Sequence, residues 1–205
     1  MDKFEKTTLD MIHTAAKKEF LIKGFKSASL RNIVKNAGVT TGAFYGYYKS
    51  KEELFDALVE KQYETLMECF RTAQKDFADL PPHQQTKNMS EISGKCMQEM
   101  LIYMYENLEE FKLILNCSEG TRFAKMIDEM AEIESKGTHD YQAVLASLGR
   151  PSPKIEPQLE HILITGMFNA FFELVIHEMP LEKAKIYLSE MRDFYTAGWM
   201  KIMGQ

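Results

Sequence analysis

The sequence is short of cysteine, of membrane-length apolar runs and of secretion signals. Its three cysteines, Cys69, Cys96 and Cys117, are widely spaced and form no CxxC pair, so neither a disulfide framework nor a zinc ribbon is expected. No stretch approaches the ~20 apolar residues that a membrane span needs. The first ten residues lack the apolar core of a signal peptide. We therefore expect a cytoplasmic protein without a membrane partner.

The common motifs of catalysis and metal binding are also missing. The sequence contains no G-x-S-x-G, H-E-x-x-H or Walker motif. Glu173 and His177 have the four-residue spacing of metal ligands on one helix, but no third ligand is evident. We expect no catalytic residues, no metal and no cofactor, and therefore a protein that is not an enzyme.

Acidic residues outnumber basic ones overall, but not in the first quarter of the chain. Residues 1–51 hold ten Lys/Arg and four Asp/Glu, a net charge of +6, whereas residues 52–205 hold 15 and 26, a net charge of −11. This uneven charge predicts that the N-terminal segment meets a polyanion and that the remainder does not.

Strand patterns are absent as well, and nearly every long segment has the periodicity of a helix. An apolar stripe from Leu9 to Phe20 ends at Gly24, and the spacing of Ser50 and Glu53 predicts the start of a long helix. Two prolines at 81–82 predict a loop, and two helices at roughly 157–178 and 181–203 close the chain. The sequence thus predicts an all-α protein of about nine helices.

Residues 29–48 have the pattern of two short helices joined by a tight turn. Apolar residues at helical spacing between Leu30 and Ala37 form the inner face of the first helix. Gly38 permits a positive φ in the turn, and Thr40 is a suitable N-cap for the second helix. This pattern describes a helix-turn-helix, whose second helix enters the major groove of DNA.

The second of these helices is suited to close contact with DNA. Its small residues allow close approach, its threonine hydroxyls can bond bases or phosphates, and its tyrosine hydroxyls can reach phosphates. A lysine in the first turn of the following helix can attract a phosphate. The predicted DNA-binding residues are Ser29, Arg31, Thr40, Thr41, Gly42, Ala43, Tyr45, Tyr47 and Lys51.

These residues resemble the DNA-binding domain of the TetR/AcrR family of transcriptional regulators, over roughly residues 8–58. The resemblance rests on Gly24-Phe25, Ser29, Ile33-Val34, Ala37-Gly38-Val39-Thr40, Gly42, Tyr45, Tyr47-Tyr48, Lys51 and Leu54. Ala28 stands where a capping threonine is usual, so Ser27 or Ser29 must cap instead. Gly46 is unusual inside a recognition helix, where glycine costs about 1 kcal/mol relative to alanine.

The resemblance implies two domains with different tasks. Residues 1–51 would form a three-helix DNA-binding domain with the helix-turn-helix, and residues 52–205 a helical ligand-binding and dimerisation domain. The partners would be a double-stranded DNA operator, a small-molecule effector and a second copy of the chain. The effector would bind between the central helices of the second domain, and the two copies would pair through their last two helices.

Both closing helices carry apolar residues that suit such an interface. The penultimate helix is apolar on more than one side, and the last has a seam with alternating spacings of three and four residues. Burial within the chain itself is the alternative explanation. The residues predicted at the dimer interface are Leu181, Ala184, Leu188, Met191, Tyr195 and Ile202.

Methionine is abundant in the second domain, with eleven of the 14 methionines from Met89 onward. Flexible, polarizable methionines suit a pocket for varied apolar ligands, although an ordinary core would use the same residues. The predicted ligand-binding residues are Met100, Tyr103, Met104, Phe111, Phe123, Met126, Met130 and Phe168.

The leading hypothesis is a ligand-responsive transcriptional regulator, a repressor that releases its operator when a small apolar or aromatic molecule binds. One alternative is a redox-responsive regulator that acts through Cys117 or Cys69, whose response would require an accessible thiol of low pKa. An alternative of another class is a helical small-molecule-binding protein or enzyme whose N-terminal motif is only structural. A DNA-binding assay separates that class from the other two, and a thiol oxidant separates the first from the second.

Overall fold

The computed structural model describes residues 7–205, which are predominantly α-helical. These residues contain nine α-helices, a short 3-10 helix at Arg122–Lys125 and no strand. The helices are α1 Thr8–Ser27, α2 Leu30–Ala37, α3 Thr41–Tyr45, α4 Lys51–Ala78, α5 Pro82–Glu106, α6 Leu108–Cys117, α7 Met126–Ser147, α8 Pro157–Ile176 and α9 Leu181–Ile202. The prediction of an all-α protein with about nine helices is confirmed.

α5 begins earlier than the sequence predicts. We expected the prolines at 81–82 to lie in a loop, whereas Pro82 is the first residue of the helix. Proline at the first helical position loses no hydrogen bond, because an N–H there has no partner within the helix, and its fixed φ suits the helix. α8 starts with Pro157 in the same way.

The described chain divides into two compact units. The first unit contains residues 7–64 and 107–124, and the second contains residues 65–106 and 125–205. α6 therefore groups with the N-terminal helices and packs on α1, which the sequence did not predict. The domain boundary expected between residues 51 and 52 stays a prediction.

The core of the first unit is aromatic. Phe20 and Phe55 are fully buried, and Phe123 is 1% exposed. The centre of the Phe55 ring lies 5.1 Å from that of Phe20, 5.3 Å from that of Phe25 and 6.0 Å from that of Phe123. Aromatic pairs in such geometry add roughly 0.5–1.5 kcal/mol beyond their buried area. Phe55 on α4 thus holds α1 and the segment after α6 in one core.

Two glycines redirect the chain in the first unit. Gly24 has a φ of 70° and interrupts α1, and Gly38 has a φ of 69° and ends α2. A left-handed conformation costs a residue with a Cβ atom roughly 1–2 kcal/mol, and glycine avoids this cost. The predicted turn at Gly38 is confirmed.

Glu19 connects α1 to the start of α2. This side chain is 6% exposed and accepts hydrogen bonds from the Ser29 N–H at 3.1 Å and from the Asn32 amide at 3.3 Å. It also pairs with Lys23 at 3.0 Å. The hydrogen bond from Lys23, followed by that from the Ser29 N–H, holds the pKa of Glu19 below its ordinary value.

Lys51 connects the start of α4 to the end of α1. Its Nζ donates hydrogen bonds to the carbonyls of Phe25 at 2.6 Å, Ala28 at 3.1 Å and Lys26 at 3.3 Å. It also lies 4.5 Å from the centre of the Phe25 ring. The last carbonyls of a helix have no partner within the helix and favour a cation, so Lys51 supplies hydrogen bonds to the carbonyls at the end of α1. The same positive charge is unfavourable at the start of α4.

The second unit is built from α5, α7, α8, α9 and the second half of α4. Within it α8 packs on α7, with Ile164, Phe171 and Phe172 fully buried. Leu159 and Ile162 on the same helix are 47% and 63% exposed. We expected no stretch that approaches a membrane span, but by length and composition α8 is the one described helix that could cross a membrane, a test that the core helix of a folded domain also passes.

Gly38→Ala should lower the free energy of unfolding by about 1–2 kcal/mol, because alanine resists the left-handed conformation there. Gly42→Ala is the matched control. Its Cβ atom would lie no closer than 3.9 Å to another group, so the helix should be unchanged or stabilised by up to about 1 kcal/mol. Urea unfolding followed by circular dichroism measures both. Equal effects would show that the conformation at Gly38 does not limit stability.

Lys51→Ala should lower the free energy of unfolding by about 1–3 kcal/mol, because three carbonyls lose a charged donor. Lys49→Ala is the control, since this lysine is exposed two residues earlier and should change stability by less than about 0.5 kcal/mol. Thermal unfolding at low and high salt measures both. A Lys51 variant as stable as the Lys49 variant would contradict the assigned role.

Candidate functional site

α2 and α3 have the geometry predicted for a helix-turn-helix. The Ser29 hydroxyl accepts a hydrogen bond from the Asn32 N–H at 3.4 Å, and the Thr40 hydroxyl accepts one from the Ala43 N–H at 3.1 Å. Ser29 is thus the cap of α2, and the predicted cap of α3 at Thr40 is confirmed. These two hydroxyls start the helices, whatever further contact they make.

α3 is anchored by one side chain and exposed on its other side. Phe44 is fully buried, and its ring centre lies 6.0 Å from that of Tyr48, which is hydrogen-bonded to His13. Tyr45 and Tyr47 are 54% and 47% exposed. Of the predicted DNA-binding residues, Arg31, Thr40, Thr41, Gly42, Tyr45 and Tyr47 are exposed, and Ser29, Ala43 and Lys51 are half-buried.

Two features of the expected DNA-binding surface need correction. Lys51 was expected to meet a phosphate, but its ammonium is occupied by the carbonyls at the end of α1. These acceptors lie 23–26 residues earlier in the chain, so the spacing of residues gave no signal of them. Gly46 lies outside the recognition helix, because α3 ends at Tyr45 and Gly46 is its C-cap. Gly46 nevertheless keeps a right-handed helical conformation, with a φ of −72° and a ψ of −21°.

The second unit contains a partly open cavity of about 170 Å³. Its walls are mostly apolar, with one carboxylate, Glu134, and one guanidinium, Arg192. Glu134 accepts a hydrogen bond from Gln74 Nε2 at 2.6 Å, and Arg192 donates one to the Ser90 carbonyl at 2.6 Å. The methionines and aromatic residues of the walls are Met89, Met97, Met167, Met191, Met200, Met203, Phe70, Phe77, Tyr141, Phe168, Tyr195 and Trp199.

The cavity is lined by different residues from those predicted to bind ligand. Phe168 alone of the eight lines it. The other seven pack elsewhere. The prediction failed for them because helical periodicity identifies buried positions but does not show which of these positions border a cavity. Met100, Met104, Met126 and Met130 are buried in the second unit away from the cavity walls, Tyr103 is half-buried, and Phe111 and Phe123 belong to the core of the first unit.

Two residues of the seam predicted to face a second copy are covered within the chain itself. Ala184 and Leu188 are 0% and 3% exposed, and Met191 and Tyr195 line the cavity. Leu181 and Ile202 are half-buried. The interface role of the four half-buried residues stays a prediction. The large exposed apolar residues of α8 and α9 are Leu159, Ile162, Ile186, Tyr187 and Phe194.

The three cysteines have raised pKa values, and the described residues contain no cluster of metal-ligating side chains. Burial raises the pKa of Cys69 and of Cys117, and it raises that of Cys96 to about 12. A thiol of raised pKa is mostly protonated at neutral pH and reacts slowly. No group of three or more His, Cys, Asp and Glu residues in residues 7–205 is placed to hold a metal ion.

The N-terminal helices match a known family of regulators. The model of the tetR family of bacterial regulatory proteins matches residues 12–58, which include α2, α3 and their turn. The uncharacterized HTH-type transcriptional regulator YdgC of Bacillus subtilis (strain 168) is 47% identical over 45 residues, which are 22% of this chain and 23% of that protein. The chain thus spans less than a quarter of that relative, within this region.

Solved structures match over nearly the whole chain. A TetR-like transcriptional regulator from Rhodococcus sp. RHA1 is 16% identical and has a TM-score of 0.55, covering 98% of both chains. A TetR-family member from Streptomyces coelicolor A3 is 16% identical and has a TM-score of 0.56, covering 95% of this chain and 92% of that one. At such identity these likenesses concern the fold. The match of residues 12–58 thus assigns this region to the tetR family of bacterial regulatory proteins, and the likenesses to solved structures show the fold of the described chain.

Proposed function

We propose that the protein is a transcriptional repressor whose homodimer releases its DNA operator when a small apolar or aromatic molecule binds the second unit. The observation that carries the proposal is the outer face of α3, which exposes Thr41, Gly42 and Tyr45 while Phe44 anchors the helix. The family match over residues 12–58 covers the same helices. A repressor of this kind works in the cytoplasm, beside the DNA.

The exposed residues of α3 divide between reading and holding DNA. Thr41 and Gly42 are small and lie at the start of the helix, so they can approach base edges, and a threonine methyl can touch the methyl of thymine. Tyr45 and Tyr47 extend further and can bond phosphate oxygens, as Arg31 can from α2. Lys51 contributes by holding the end of α1, the helix on which α2 packs.

The exposed apolar residues of α8 and α9 are the proposed dimer interface. Phe194 is 73% exposed, Ile162 63% and Ile186 59%, and burying such side chains contributes about 1.5–3 kcal/mol each. Apolar residues this exposed on two consecutive helices favour a protein partner over water. A second copy of the chain satisfies them symmetrically and gives an operator of two half-sites.

The cavity in the second unit is the proposed effector site. Its methionines and aromatic rings suit an apolar or aromatic molecule. Ligand would favour a dimer conformation in which the two recognition helices no longer match half-sites about 34–36 Å apart. A redox response through Cys117 or Cys69 is not favoured, since burial raises the pKa of both thiols.

Tyr45→Phe should weaken binding to all DNA sequences by roughly 1 kcal/mol, because one phosphate contact loses its hydroxyl. Thr41→Ala should instead cost discrimination at particular base pairs, by roughly 1–3 kcal/mol. Fluorescence anisotropy with a duplex selected from a random library measures both, against a scrambled duplex.

Tyr48→Phe is the matched control for Tyr45→Phe. It removes the hydrogen bond to His13 inside the first unit, so it should lower stability and leave the DNA affinity of the folded protein unchanged. A wild-type dimer with no preference for any duplex would contradict the proposal and favour a helical small-molecule-binding protein whose N-terminal motif is only structural.

Phe194→Glu should convert the dimer into folded monomers, because a charge would replace an exposed apolar contact. Light scattering at micromolar concentration measures the mass, and circular dichroism checks the helix content. Ile22→Glu is the control, since Ile22 is 67% exposed on α1 and should leave the dimer intact. A monomeric wild-type protein, or a Phe194 variant that stays dimeric, would contradict this interface.

A further inference from the structure

We infer that the cavity of the second unit recognises a cationic amine on a small aromatic molecule, with the Glu134 carboxylate as the partner of the amine. The inference rests on the proposed function in one respect, namely that this cavity is the effector site. It goes beyond that function by assigning a charge to the ligand and a position to its charged group.

Glu134 has a carboxylate oxygen without a protein partner. Its Oε2 accepts the hydrogen bond from Gln74, and no other hydrogen bond or ion pair reaches the side chain from residues 7–205. The residue is half-buried and lines the cavity. Burial raises the pKa of Glu134, and the bond from Gln74 lowers it only in part. A partly buried carboxylate is stabilised in its charged form by a cation, and the folded chain supplies only a neutral amide.

The other walls of the cavity suit the rest of such a molecule. Tyr141, Phe168 and Trp199 present aromatic rings, whose faces attract a cation and pack well against an apolar body. Six methionines complete the walls and can adapt to the outline of a ligand. The amine would thus lie at Glu134 with aromatic groups nearby, while the remainder of the ligand replaces water against apolar surface.

Arg192 also lines the cavity and would attract an anion, but its contacts favour a structural role. Its Nη2 donates to the Ser90 carbonyl at 2.6 Å. The guanidinium also lies against Gly94, where an added Cβ atom would come within 2.0 Å of Nη2. The bond that fixes Arg192 lies in an exposed setting, whereas the bond of Glu134 to Gln74 is partly buried. The less solvated charge gains more from a ligand of opposite sign.

The volume of the cavity suits a small ligand. A dry apolar cavity of about 150 Å³ accepts benzene, and this cavity measures about 170 Å³. One aromatic ring with a short arm therefore fits. Three molecules with a shared phenyl ring and different end groups test the charge: 2-phenylethylamine is cationic at neutral pH, 2-phenylethanol is neutral and phenylacetate is anionic.

Trp199 provides the signal, because it is the single tryptophan of the chain and lines the cavity. Its fluorescence, with calorimetry as a second readout, gives the affinity of the full-length protein for each molecule. We expect 2-phenylethylamine to bind about ten-fold tighter than 2-phenylethanol, and phenylacetate to bind weakest. Glu134→Gln should remove the ten-fold preference and leave the affinity for 2-phenylethanol within two-fold.

Asp140→Asn is the matched control, because it removes the same charge from an exposed position on α7 outside the cavity walls. It should retain the preference for the amine. Thermal unfolding confirms that both variants are folded, and the isosteric glutamine can keep the bond to Gln74. If Glu134→Gln does not fold, Glu134→Ala tests the same point, since loss of the carboxylate should likewise remove the preference for the amine over the alcohol.

Three results would overturn the inference: equal binding of the amine and the alcohol, a preference for phenylacetate, or no binding of any of the three. Operator binding, measured separately, distinguishes this failure from that of the proposed function. A protein that binds its operator but shows no preference for the amine retains the proposed function and loses the inference. A protein that prefers the amine but binds no DNA retains the inference and loses the proposed function.

Discussion

A helix of five residues cannot hold its own shape, and the proposed DNA-binding surface of this protein is built on such a helix. Isolated helices much shorter than about 12 residues are marginal in water, because the first turn costs more conformational entropy than its hydrogen bonds return. α3 spans Thr41–Tyr45, so its order must come from its neighbours. Phe44 supplies burial, and the Thr40 hydroxyl supplies the first hydrogen bond.

The neighbours of α3 are themselves held by two opposite charges. The carboxylate of Glu19 accepts a hydrogen bond from the Ser29 N–H at the start of α2, and the ammonium of Lys51 donates hydrogen bonds to the carbonyls at the end of α1. Each charged side chain hydrogen-bonds to backbone groups that have no partner within their own helix. The position of the recognition surface therefore depends on side chains that need never touch DNA.

Local features of the first unit could be predicted from the sequence, because they arise from neighbouring residues. The turn at Gly38 and the caps at Ser29 and Thr40 involve residues at most three apart. The contacts of Lys51 and the packing of α6 on α1 join distant residues, and no local pattern encodes them. In the second unit the sequence predicted which residues of α9 are apolar and helically spaced, but not whether they point to the interior or to a partner. Ala184 and Leu188 point inward although their spacing equally suits an interface.

α9 presents two surfaces to two different neighbours. Met191, Tyr195 and Trp199 form part of the cavity wall, while Ile186 and Phe194 point into solvent. A ligand in the cavity and a second chain on the outer surface would therefore both affect the position of α9. Because coupling between two binding equilibria is reciprocal, the factor by which the ligand changes the affinity between subunits equals the factor by which dimerisation changes the affinity for the ligand. The apparent strength of induction would consequently vary with the amount of this protein in the cell.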